Sequence, residues 1–241
     1  MHYDAESYGE AWAEVYDRHF PAPSEGSLEL LREFAGEGPL LELGPGTGRM
    51  AGPLSRSGLS IHGVEASEPM LERLHERWGD CVKIVGREFS DFDSPHRYSL
   101  CFVVFNTFFA LLSQRAQVRC MQCVADVLKP GGFFLLELFV PDLGRFDRGQ
   151  RLATLGLDHS VCRIEASVHN QVEQTVETQL MTVTPSGIQM RPVKVRYAWP
   201  AELDLMAEMA GLEKAHRWGG WLKQPFTSSA TSHITIYRKP E

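Results

Sequence analysis

The chain has 241 residues, 43% hydrophobic and 23% charged, with a formal net charge of −7. That length and balance suit one soluble α/β domain with an insertion or a small subdomain and exclude a disordered chain. The acid excess and the lack of any basic run argue against a nucleic-acid partner, since phosphate contacts need clustered Lys and Arg. No run of about 18 apolar residues and no charged-then-apolar amino terminus stands out, so no membrane partner and a cytoplasmic location are expected. Five scattered cysteines form no disulfide framework, and Cys120 and Cys123 make a lone C-x-x-C without a second pair, so no metal is expected.

In chain order, residues 4–20 read as one amphipathic helix with Tyr8, Trp12 and Tyr16 spaced four apart on one face. PAPSEG (21–26) interrupts, and SLELLREFAG begins a helix with Ser27 as its N-cap. LLEL (40–43) is a first strand that ends in an acid, Glu42, and runs into GPGTGR, where Gly44, Gly46 and Gly48 allow positive φ and close approach of a ligand to the main chain. The spacing fits neither G-x-G-x-x-G nor G-x-x-x-x-G-K-[ST]. An acid at that strand end repels a pyrophosphate and suits a ligand with an ammonium group, which points to S-adenosylmethionine. SIHGVE (60–65) is a second strand ending in Glu65, 23 residues after Glu42, where a carboxylate can accept from two ribose hydroxyls.

Further apolar runs, CVKIVG (81–86) and YSLCFVVF (98–105), together with helical segments at 48–56 and 68–78, give the alternation of a parallel sheet. Residues 114–128 form a helix stopped at LKPGG by Pro130 and two glycines, and FFLLELF (133–139) is the fifth strand. From 161 to 199 the pattern turns alternating and Thr/Val-rich, which predicts three antiparallel strands with no crossover helix between them. A helix over 200–211, stopped by Gly211, precedes two strands in LEKAHRWGGW and 232–239. Four parts follow: an amino-terminal helical lid (1–37), a ligand-binding core (38–140), an inserted antiparallel sheet (141–199) and a carboxy-terminal helix with strands that complete the core (200–241).

An apolar pair, an acid and G-x-G-x-G, then E-x-S-x-x-M at 65–70, then LKPGG before an apolar strand resemble the class I S-adenosylmethionine (SAM)-dependent methyltransferases over roughly residues 38–140. The resemblance implies a Rossmann-like, mostly parallel sheet with an antiparallel last strand, and SAM as cofactor with S-adenosylhomocysteine (SAH) as product. It places Glu42, Gly44, Gly46, Gly48, Glu65 and Ala66 on the cofactor, Met70 beside the adenine, and Glu88 with Phe89 at the adenine amino group, Asp91 being the competing register. Phe105 and Asn106, with Thr107, fall at the methionine end; for Asn106 a helix N-cap is the alternative.

The VYD of the first helix, GPGTGR, E-x-S-x-x-M, the DF segment before the fourth strand and the insertion resemble more narrowly the amino-sugar and lincosamide N-methyltransferases of antibiotic pathways. That implies methyl transfer to an amine nitrogen of a small-molecule natural-product intermediate, mainly by proximity and orientation. Amino-sugar members carry a histidine after the fourth strand, whereas FNTFFALL has no ionisable side chain. An aromatic acceptor wall through Phe105, Phe108 and Phe109 is implied instead, with core burial as the alternative. Tyr8 and Tyr16 are the candidate catalytic residues, with simple packing as the alternative, while His19, His159, His169, His216 and His233 are not favoured. An O-methyltransferase and a non-catalytic SAM-binding or interaction module stay open. The insertion is expected to build the acceptor side of the cleft or, because long strands leave edges to be covered, a homo-oligomer contact.

Overall fold

Helix α1 (Ala5–Trp12) opens the computed structural model, which describes residues 3–241; residues 1 and 2 of the expected lid lie outside the described residues. Asp4 caps it, its carboxylate accepting the Ser7 N–H at 2.9 Å while Ser7 Oγ receives the Asp4 N–H. The single helix expected over 4–20 is broken: α1 stops at Trp12, and the four-residue α2 (Tyr16–His19) follows a turn. The break brings the Trp12 and Phe20 rings to 5.4 Å and sends Tyr16 toward Phe105 at 6.5 Å, so aromatic packing outweighs helix continuity. Helix α3 (Glu25–Glu33) is capped by Ser24 rather than Ser27. Ser24 Oγ accepts the Ser27 N–H, and Ser27, buried inside the first turn, returns its hydroxyl to the Ser24 carbonyl.

The core then alternates β1 (Leu40–Leu43), α4 (Ala51–Arg56), β2 (Ile61–Val64), α5 (Glu68–Trp78), β3 (Val82–Gly86), β4 (Tyr98–Val103), α6 (Gln114–Val127) and β5 (Leu128–Phe139). LKPGG does not separate helix from strand as expected. Leu128 is already extended and pairs with Tyr98, and the register shift between Tyr98 and Leu100 accommodates the Pro-Gly-Gly segment inside β5. Next come β6 (Gln150–Leu157), β7 (Cys162–Asn170), β8 (Thr175–Thr184), β9 (Gly187–Arg196), α7 (Pro200–Met209), β10 (Glu213–Trp218) and β11 (Ser232–Arg238).

Among the described residues the strands form a seven-stranded sheet of order β10-β11-β5-β4-β1-β2-β3 and a four-stranded sheet of order β6-β7-β8-β9. In the first, β1 to β5 pair in parallel, and β11 and β10 close the edge antiparallel. Every residue of β1, β2 and β4 is buried, because helices cover both faces and the strands must be apolar on both. One core packs Leu41, Val103 and Leu136 against α6 and α7, and the other packs Leu40, Phe102 and Leu135 against α3 and α4. The inserted sheet has four strands, not three. Its extra member, β6, has a register irregularity between Thr154 and Gly156 and exposes Leu152 and Leu157, so neither alternation nor burial marks it. Among the described residues no helix is long and apolar enough to cross a membrane.

Candidate functional site

Strand order reverses at β1, between β4 and β2, and an open parallel sheet binds ligands in the crevice outside the carboxyl ends of such strands. A cavity of about 1000 Å3 lies there, roofed by α1 and α2 and walled on one side by the four-stranded sheet.

The floor is backbone. Gly44 and Gly46 line the cavity with φ of +73° and +56°. A Cβ on Gly44 would stand 2.5 Å from Thr107 Cγ2, so the loops after β1 and β4 can approach only through glycine, whereas a Cβ on Gly46 would project into open space. Gly48 is placed elsewhere: a Cβ there would meet Trp78 at 2.7 Å, so this glycine serves the packing of the loop on α5 and is not on the cavity wall. Glu65 bridges the floor. One oxygen accepts the Gly46 N–H at 2.9 Å and the other the Ser67 N–H at 3.0 Å, and burial raises its carboxyl pKa against the pull of these donors. Ala66 and Met70 continue the same wall.

Glu42 lies beneath the loop rather than on the wall, 2% exposed. Burial pushes its pKa up to about 8, with Arg49 and the Ala51 N–H opposing and Glu65 reinforcing the shift. Its Oε2 is buried without a hydrogen-bond partner. A buried, unpaired carboxyl oxygen beside a glycine cradle fits a ligand that brings an ammonium group, and the two-oxygen span of Glu65 fits a ribose. After β3, Glu88 and Phe89 line the cavity, Glu88 being held by the Ser90 N–H and hydroxyl, both at 3.2 Å. Asp91 turns away to Arg119 at 3.4 Å.

After β4, Phe105 and Asn106 both line the cavity in the left-handed region, with φ of +57° and +65°, a costly conformation for a bulky side chain. Glu137 of β5 holds it, one carboxylate oxygen accepting the Phe105 N–H at 2.8 Å, the other the Trp221 Nε1–H at 2.9 Å, and its carbonyl the Asn106 N–H at 3.1 Å. Asn106 caps no helix with its side chain; its Oδ1 accepts the Phe139 N–H at 2.7 Å. The sequence reading missed Glu137, for which the available signal was a lone acid inside FFLLELF. The same strained pair feeds the short 3-10 turn Thr107–Ala110 and aims Phe108 and Phe109 into the core. Both are fully buried and absent from the wall, Phe109 packing on Phe139 at 4.9 Å, so they are core residues and not the expected acceptor wall.

The roof brings together Tyr8, Trp12, Tyr16 and Phe20, with Phe20 against Phe105 at 4.7 Å and the Arg49 guanidinium over Phe105 at 4.5 Å. It is tied to the floor. Thr47 of the glycine loop donates to Asp17 at 3.0 Å, Arg77 pairs with Asp17 at 2.8 Å, and Arg49 donates to the Pro21 carbonyl at 3.1 Å. Neither the Tyr8 nor the Tyr16 hydroxyl has a partner within the described residues. Burial raises both phenols, Tyr16 to about 12, so both are neutral near pH 7. Val176, Thr178, Leu180, Val193 and Glu165 line the cavity from the inner face of the inserted sheet, and none of them was singled out from the sequence. Among the described residues no group of three or more His, Cys, Asp or Glu is placed to hold a metal, and Cys120 is buried in the core with its thiol pKa pushed up.

Known proteins share the sequence pattern and the fold. The family described as a methyltransferase domain matches residues 40–132, which include the glycine loop and Glu65. The solved CcbJ methyltransferase from Streptomyces caelestis is 38% identical, with a TM-score of 0.91 over 99% of this chain and 100% of that one. The cypemycin N-terminal methyltransferase of a Streptomyces species is 26% identical over 98% of this chain and 99% of its own length. SAM-bound CalS10, an amino pentose methyltransferase from Micromonospora echinaspora, shares the fold at 19% identity and a TM-score of 0.67, over 97% and 92% of the two chains. Aligned end to end with a methyltransferase, and carrying the glycine loop and paired acids that suit an ammonium and a ribose, the chain belongs to the class I SAM-dependent methyltransferases.

Proposed function

We propose that the protein methylates an amine nitrogen of a small-molecule natural-product intermediate, with Tyr8 and Tyr16 as the groups that meet the acceptor. Bound SAM supplies an electrophilic methyl group on a sulfonium whose departure needs no further activation. The chain's own residues then bind and align. Glu65 would accept from the ribose hydroxyls, Glu42 would offset the ammonium of the methionine end from beneath the glycine loop, Gly44 and Gly46 admit the ligand to the backbone, Ala66 and Met70 would flank the adenine, and Glu88 with Phe89 would meet its edge. Phe105 and Asn106 hold the methionine end toward the roof.

The observation that carries the nitrogen reading is the state of the two phenols. Each lines the cavity with an unpartnered hydroxyl and a raised pKa, so each is a hydrogen-bonding group and not a base near neutral pH. A phenol oxygen that accepts an acceptor N–H aims the nitrogen lone pair, which is the positioning an in-line displacement needs. An alkylammonium, with a pKa of roughly 10, loses its proton to water before it settles there. A hydroxyl acceptor would need a stronger base, and no histidine is on the cavity wall among the described residues. The cypemycin N-terminal methyltransferase and CalS10, an amino pentose methyltransferase of calicheamicin biosynthesis, support a natural-product setting.

Transfer of labelled methyl from SAM to matched amine and alcohol acceptors tests this reading. Label is expected in the amines alone, and label in alcohols alone would replace it with O-methylation. Tyr8→Phe and Tyr16→Phe should each keep SAH affinity within about twofold; at least one should lose about three- to tenfold in kcat, the worth of one hydrogen bond. Two variants with unchanged kcat would reduce the phenols to packing.

A further inference from the structure

We infer that Glu165 is the acceptor-specificity residue of the cavity, selecting acceptors that carry a second hydrogen-bond donor, a hydroxyl or an ammonium, besides the nitrogen to be methylated. The inference rests on the methyl-transfer reading above. Glu165 sits in β7 opposite Ala153 of β6 and Leu180 of β8, well inside the sheet, and its side chain is 13% exposed on the cavity wall. Its hydrogen bonding is lopsided. Arg151 Nη1 at 2.5 Å, Ser167 Oγ at 3.1 Å and Arg145 Nη2 at 3.2 Å all donate to Oε1. Oε2 accepts no hydrogen bond from any described residue.

A carboxylate has about four acceptor positions, and in a largely buried group the unused ones are a cost unless a ligand fills them. Here three donors fix the orientation of the group through one oxygen and leave the other without a protein donor on a wall that also carries Leu180, Val176 and Phe146. An acceptor with only hydrocarbon at this point strips water from Oε2 and returns nothing. One with a hydroxyl or ammonium there replaces the water. Discrimination by a buried polar group left unpaired exceeds what an apolar pocket achieves by shape. Both arginines are already spent on Glu165, so the same patch does not favour an anionic acceptor.

The test uses labelled methyl transfer from SAM to cyclohexylamine, trans-4-aminocyclohexanol and trans-1,4-diaminocyclohexane, with SAH calorimetry on the same preparations. Wild type should prefer both donor-bearing amines over cyclohexylamine by about tenfold or more in kcat/KM, chiefly through KM, and the better of the two tells hydroxyl from ammonium. In Glu165→Gln the amide oxygen must face the guanidinium groups, which only donate, so the NH2 faces the cavity. The preference for the diamine, whose second ammonium only donates, should then vanish while SAH affinity stays within about twofold; a hydroxyl can still accept from the NH2, so the aminocyclohexanol is read in Glu165→Ala. Glu165→Ala should lose both preferences; if that variant does not fold, the isosteric glutamine carries the test. Equal rates in wild type, turnover of none of the three amines, or a diamine preference that survives Glu165→Gln overturns the assignment. Failure of wild type to bind SAH would instead sink the methyl-transfer reading itself.

Discussion

At the carboxyl ends of the parallel strands the cavity presents main chain and Glu65, with Glu42 buried beneath the glycine loop. On the inserted sheet it presents side chains gathered from β7, β8 and β9. The floor is made by what is missing, a Cβ at Gly44 and Gly46, and by Glu65, whose bonds to the Gly46 and Ser67 N–H groups span 19 and 2 residues. The wall is made by pairing: Glu165 faces the cavity only because β7 lies between β6 and β8 in one register, and a slip of one residue would turn it outward. A floor of this kind suits a ligand that never changes. A wall of exchangeable side chains suits one that differs from enzyme to enzyme.

The hardest blow to the floor is Glu65→Ala. It removes the ribose acceptor and leaves the Gly46 and Ser67 N–H groups without their carboxylate, so SAH affinity by calorimetry should fall about 10- to 150-fold, the worth of about 1.5–3 kcal/mol of charge-assisted hydrogen bonding. Unchanged SAH binding, or tighter binding of NAD, would remove Glu65 from the cofactor site.

Glu42→Gln should cost less in binding, about tenfold, and should raise the stability of the ligand-free protein. The folded-state pKa of Glu42 is about 8 against an ordinary 4.5, so its contribution to stability is full below about 4.5 and is lost as pH rises through 8. The variant lacks that slope. Its melting temperature should therefore match wild type near pH 5 and exceed it increasingly toward pH 8, where about three pH units of linkage make the stability difference on the order of 4 kcal/mol. A difference that does not grow with pH would show that Glu42 is not the buried acid responsible.

The smallest effect on ligand binding is expected from the outer face of the inserted sheet, where Leu152, Leu157, Val168, Ile188 and Met190 are exposed. An apolar sheet face of this kind is where a homo-oligomer would form. Leu152→Lys with Leu157→Lys should lower the mass seen by light scattering while SAH affinity stays within about twofold. A wild-type monomer at all concentrations would leave this face without a partner copy.

Much of the floor was legible because its signals are local. LLELGPGTG and the acid 23 residues on lie within one βαβ unit, so spacing alone placed Gly44, Gly46 and Glu65 together. The fold class was legible for a similar reason, since apolar runs of strand length alternating with helical periods admit few sheet topologies. Legibility failed where a residue's neighbours are distant in sequence. Phe108 and Phe109 look identical to acceptor-wall aromatics until Phe105 and Asn106 are seen to turn left-handed under the hold of Glu137, 32 residues later. The helix over 4–20 broke because Tyr16 and Phe20 answer to Phe105, brought in by the loop after β4, and Phe20 in turn packs on Trp12.

The amino-acid sequence by itself determined the parallel sheet, the glycine loop and the paired acids, and with them the cofactor, because each is set by periodicity or by residues a short span apart. Only the tertiary structure decided which aromatic rings face the cavity, that Gly48 packs on Trp78, and that Glu165 lines the cavity with all its donors on one oxygen. Those facts depend on strand register and on long-range hydrogen bonds, which no local pattern of residues encodes.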